Sequence, residues 1–147
     1  MTTSLVSPST PAPSLPTPGR PLRILYADDM KELRELITIV LGREGHTVET
    51  AANGSLALDR LTAGMNDYDL VITDHHMPEM NGLEFIRRLR EHAFKGKVMV
   101  FSSEISPVVQ EKYRQLAVDR ILPKPIFPAQ LRNSLRELYA NAPSPAV

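Results

Sequence analysis

Short apolar runs alternate along this chain with segments whose apolar residues recur every three or four positions. The runs are Leu22-Arg23-Ile24-Leu25-Tyr26-Ala27, Leu70-Val71-Ile72-Thr73 and Val98 to Phe101. Runs of this length, bounded by turn residues, read as strands buried on both faces of a parallel sheet. His46 to Ala51 alternates about Val48 as a shorter strand, and Arg120 to Leu122 reads as the last one. Between them, Leu33, Leu36, Ile37, Val40 and Leu41 repeat at helical spacing, and Gly42 with Gly45 supplies the stop. Asn53 is placed to cap a second helix carrying Ala57, Leu58 and Leu61 and ending near Gly64. Leu83, Phe85, Ile86 and Leu89 stripe a third after Gly82, a weaker one runs from about Pro107 to Leu116, and Pro128 opens the last with Leu131, Leu135 and Leu138. Five strands alternating with five helices predict an α/β fold, a doubly wound parallel sheet with right-handed crossovers. The pattern holds no solenoid-type repeat.

Composition narrows this to one domain. At 147 residues and 42% hydrophobic content, the chain can bury a single core and has no room for a second. Residues 1–21 hold six of the thirteen prolines with many Ser and Thr, which predicts an extended tail. The folded body is expected over 22–140, with 141–147 as a short flexible end. Lys+Arg and Asp+Glu both number 17, so the neutral balance argues against direct nucleic-acid binding. The absence of cysteine excludes disulfides, thiol catalysis and thiolate metal sites. No stretch reaches the ~18 apolar residues of a membrane span, and the N-terminus does not read as a signal peptide. A cytoplasmic protein without membrane insertion is the expectation.

The chemistry sits where the apolar runs stop. Asp28 and Asp29 follow the first run, Asp74 closes that of the third strand, and Lys124 follows the last. Carboxyl ends of parallel strands meet in one crevice, so three acids and one lysine are expected to converge. Packed acids repel unless a cation lies between them, and hard oxygen ligands suit Mg²⁺. Taken separately, Asp28 and Asp29 would pass as helix caps and Asp74 as a turn residue. The adjacent His75 and His76 lack the spaced third ligand that a transition-metal site requires.

In this order and spacing, Asp28-Asp29, the stretch Asp74-His75-His76-Met77-Pro78-Glu79-Met80-Asn81-Gly82, Ser102 and Lys124-Pro125 resemble the receiver domain of two-component response regulators. The resemblance spans nearly all of residues 22–140. It implies a flavodoxin-like (βα)5 fold with strand order 2-1-3-4-5. It implies a phosphoacceptor rather than an enzyme, with self-catalysed phosphorylation and dephosphorylation. Asp74 would accept a phosphoryl group from a histidine kinase or histidine phosphotransfer protein. Asp29, Asp74 and the backbone carbonyl of His76 would ligate Mg²⁺, with Mn²⁺ able to substitute, and Asp28 would act through a bound water. Ser102 would bond a phosphoryl oxygen, and Lys124, through a cis bond to Pro125, would hold its ammonium over the pocket. His76 and Glu104 would rim the site and set the lifetime of the phosphorylated state. Gly82 fits a turn that approaches the pocket closely, or simply starts the next helix.

The chain also departs from the family. Ile121 stands where Tyr or Phe often swings inward, so the usual route from phosphorylation to the last helices is missing. Signal is then expected through the Ser102 loop and the helix from Pro107 to Leu116. Ser103 is small and compatible with an accessible site, Ala117 replaces a common glycine, and Pro123 stiffens the approach to Lys124. The leading reading is a stand-alone response regulator, a monomer or weak dimer, whose output is contact with a downstream protein, phosphorelay or a phosphate sink. An aspartyl-phosphate hydrolase would need an acid two residues after the nucleophile, where His76 stands. A docking module independent of phosphorylation would have no use for the complete acidic pocket.

Overall fold

The computed structural model describes residues 21–104 and 106–140; the rest of the expected tail and the 141–147 end lie outside them. Five parallel strands, β1 (Arg23–Ala27), β2 (Thr47–Ala51), β3 (Leu70–Asp74), β4 (Lys97–Ser102) and β5 (Arg120–Pro123), pair in the order β2-β1-β3-β4-β5. Five helices connect and follow them: α1 (Lys31–Arg43), α2 (Gly54–Ala63), α3 (Gly82–Glu91), α4 (Pro107–Gln115) and α5 (Pro128–Ala140). A short 3₁₀ turn at Met65–Asp67, which the apolar pattern does not reveal, leads into β3.

Local chemistry sets the helix starts. The side chains of Asn53, Asn81 and Ser106 each accept from the backbone N–H three residues on, capping α2, α3 and α4. Pro107 occupies the first turn of α4, where its missing N–H costs nothing. The cap position of α1 is Met30, without a side-chain cap, so neither Asp28 nor Asp29 serves as a helix cap.

Strand alternation divides the core in two. Leu25, Ala27, Val71, Val98 and Val100 face one side, where Ala57, Leu61, Phe85, Ile86, Leu89 and Tyr113 of α2, α3 and α4 cover them. Ile24, Tyr26, Ile72, Met99 and Phe101 face the other, against Ile37, Val40 and Leu41 of α1 and Leu131 and Leu135 of α5. Every residue of β3 is buried, whereas edge strand β2 is mostly half-exposed. Register aligns Ala27 with Thr73, Asp74 with Phe101 and Ser102 with Pro123, so four strands end at one level. That alignment is what brings the acids and the lysine together.

Candidate functional site

Asp28, Asp29 and Asp74 each place a carboxylate oxygen within 4.8 Å of the others. Asp28 and Asp74 are buried and Asp29 is exposed, so the group opens to solvent on one side. Lys124 reaches in from the β5 end, its Nζ 3.0 Å from Asp74 Oδ1 and 3.7 Å from Asp28 Oδ2. The Lys124–Pro125 peptide is cis.

Two further side chains hold Asp28, and the sequence analysis singles out neither. The Tyr26 hydroxyl donates to Asp28 Oδ2 at 2.6 Å, and the Arg34 guanidinium donates to the Asp28 carbonyl at 2.8 Å. Tyr26 lies two residues before Asp28, hence on the same strand face, which is the signal that could have found it. Burial, then the Asp28 carboxylate, drives the Tyr26 phenol far above its ordinary value, so it remains a donor. The Met30 N–H donates to the other carboxylate oxygen, Asp28 Oδ1, at 2.9 Å.

Burial pushes Asp74 upward against the pull of Lys124, and the Asp28 charge adds to the rise. A divalent ion among the three carboxylates would relieve that penalty. Oxygen-only donors, partly open to water, fit Mg²⁺, which keeps several waters and takes one or two protein carboxylates.

The remaining predicted residues divide between exposed loops and the buried interior. Ser102 is buried, and its hydroxyl both donates to the Glu104 carbonyl at 2.6 Å and accepts from the Glu104 N–H at 3.0 Å. His76 Nε2 lies 3.2 Å from Glu104 Oε1, and both side chains are exposed. His75 turns the other way, buried, with Nδ1 bonded to the Tyr113 hydroxyl. Burial, then the charge of His76, lowers its basicity. Ile121 is half-buried against the α2–α3–α4 core. Ser103 is exposed and, with Met30, Leu33, Leu36 and Lys124, lines an apolar groove beside the acids. Gly82 must be glycine: a Cβ would fall 2.5 Å from the Asp74 carbonyl oxygen.

The response regulator receiver domain family model matches residues 24–136. The chain is 33% identical over 123 residues to the sensory/regulatory protein RpfC of Xanthomonas campestris, covering 81% of this chain and 17% of that protein. It is 32% identical over 124 residues to the transcriptional regulatory protein CpxR homolog of Haemophilus influenzae, covering 84% of this chain and 53% of that one. The chain thus spans at most about half the length of these curated relatives. Among solved structures, the Vibrio cholerae chemotaxis protein CheY4 superposes with a TM-score of 0.74 at 28% identity, covering 80% of this chain and 98% of that one. Because that family model covers most of the chain, this chain belongs to the response regulator receiver domain family of two-component signalling.

Proposed function

We propose that Asp74 accepts a phosphoryl group from a phosphohistidine of a kinase or phosphotransfer protein, and that the chain signals through the resulting change in its protein contacts. The observation that carries this reading is the meeting of Asp74 with Asp28, Asp29 and the Lys124 ammonium 3.0 Å away. An Asp74 oxygen attacks phosphorus, the P–N bond breaks with its electron pair going to the nitrogen, and a donor imidazole already protonated on its other ring nitrogen leaves as the neutral ring. Charge on the equatorial oxygens must be neutralised in a loose transition state, which asks for positioning more than covalent chemistry. Lys124 supplies one cation for this from the β5 side. Asp29, Asp74 and the His76 carbonyl would hold Mg²⁺, or Mn²⁺, with Asp28 acting through water, and that ion would supply the second positive charge. Tyr26 and Arg34 fix Asp28 while this happens, and Ser102 exchanges its loop bond for a phosphoryl oxygen.

Loss of the group is the reverse in kind. Water attacks phosphorus, the P–O bond to Asp74 breaks, and inorganic phosphate leaves. The His76 and Glu104 pair stands over the water's approach and sets its rate. The donor docks along the groove of about 580 Å³ between Met30, Leu33 and Leu36 of the α1 side and Pro125 and Ile126, which adjoins Lys124. Among the described residues no helix is long and apolar enough to cross a membrane. That observation accords with a cytoplasmic site of action.

Treatment with acetyl phosphate and Mg²⁺ tests the reading by intact mass. One phosphoryl group is expected, lost in Asp74→Asn and lost on chelation. No adduct, where an established receiver is labelled, leaves a docking module independent of phosphorylation. Decay that is equally fast in wild type, His76→Ala and Glu104→Ala removes the rim pair from the mechanism.

A further inference from the structure

Tyr113 is the single buried side chain of α4 among the described residues. Its hydroxyl bonds Nδ1 of His75, the residue after Asp74, and the two rings meet edge to face with centroids 5.5 Å apart. The contact depends on Gly82, where a Cβ would lie 2.8 Å from the Tyr113 hydroxyl. Gly82 also closes the turn after Asp74, its N–H donating to the His75 carbonyl at 2.8 Å. Acceptor, His75, Gly82 and Tyr113 therefore share one small volume.

Elsewhere α4 is lightly held. Val108 is 65% exposed, and Val109 and Leu116 are only half-buried. At the far end of the helix, Arg90 donates to the carbonyls of Leu116 and Ala117 at 2.9 and 3.0 Å. That leaves the C-terminal end tied and the body of the helix with one fully buried anchor, Tyr113, beside the half-buried Val109 on the same core. Burial, and after it the Asp74 charge, raises the Tyr113 phenol, so it stays protonated and feels the state of the acceptor.

We propose that the Tyr113–His75 hydrogen bond carries the phosphorylation state of Asp74 to α4, in the place that Ile121 leaves without an aromatic ring. The proposal rests on Asp74 being the phosphoacceptor. Phosphorylation adds about one further negative charge at a carboxylate whose field already reaches the phenol. It also draws on the main chain at His75, which carries the acceptor of the bond. A helix with one buried anchor has two accessible arrangements, anchored and released, and a small shift at that anchor selects between them.

The test compares wild type, Tyr113→Phe, His75→Leu and the double variant by hydrogen exchange over residues 107–116, with and without beryllofluoride and Mg²⁺, and by intact mass after acetyl phosphate. In wild type, exchange in α4 is expected to change by about fivefold or more, the lower bound of ordinary coupling. Tyr113→Phe keeps the ring, is labelled as wild type is, and loses most of that change. His75→Leu loses the same amount, and the double variant loses no more, because one bond is being removed. A Tyr113→Phe chain whose α4 exchanges faster in both states, with the change intact, makes the tyrosine mere packing and overturns the proposal. Additive losses, or a labelled wild type with an unchanged α4, overturn it as well. A Tyr113→Phe chain that is not labelled puts the hydroxyl in the chemistry and likewise overturns it. A wild type that takes no phosphoryl group overturns the phosphoacceptor reading and this one together.

Discussion

The two faces of the sheet treat the acidic site differently. On one face, Tyr26 sends its hydroxyl to Asp28 from within β1, surrounded by Ile37, Val40 and Leu41 of α1 and by α5. On the other, Tyr113 sends its hydroxyl to His75 from α4, a helix with no second buried side chain among the described residues. Both phenols are buried and both are bonded to a residue at or beside the acids. One belongs to a strand that cannot move without breaking the sheet. The other belongs to a helix whose two valines, Val108 and Val109, are exposed and half-buried. On the proposal made above, the first face holds the acidic site and the second reports its state.

The contrast is broken most directly by truncation. Leu41→Ala removes a fully buried side chain of α1 and should cost about 2–5 kcal/mol in urea unfolding, whereas Val109→Ala in α4 should cost under about 1 kcal/mol. Equal costs would mean that α4 is as firmly packed as α1. Tyr26→Phe comes next, since it leaves a buried Asp28 oxygen without its donor, at about 1–3 kcal/mol. A neutral result would show that the Met30 N–H and Lys124 already satisfy that carboxylate.

Asp74→Asn works in the opposite direction. Because burial raises Asp74 in the folded state, its protonated form is favoured there. The stability this contributes is complete below the ordinary carboxylate pKa and is lost as pH rises through the higher folded value. Asn cannot ionise, so in chelator the variant should match wild type at acid pH and melt above it at neutral pH. A neutral-pH melting point below that of wild type would mean that the bond to Lys124 outweighs the burial penalty. The smallest effect is expected at Ala117, which holds a left-handed φ of 61° after α4. Ala117→Gly relieves that strain and should stabilise by up to about 1 kcal/mol in thermal unfolding.

The sequence by itself determined the layout: strand runs, helix periods, the caps at Asn53 and the turn glycine at Gly82 are signals within a few residues. It also placed Asp28, Asp29, Asp74 and Lys124 at strand ends, and parallel pairing with aligned register does the rest. Tyr26 was within reach of the same logic, since residues two apart on a strand share a face. Only the tertiary structure decided the Tyr113 contact, made across 38 positions by the rotation of α4 about its axis. Only it decided that Ser102 bonds its own loop and that Asp74 is raised, because desolvation depends on how the layers close over a carboxylate. Periodicity and turn chemistry are local properties of the chain, while the direction of a hydroxyl and the dryness of a pocket come from elements far apart in sequence.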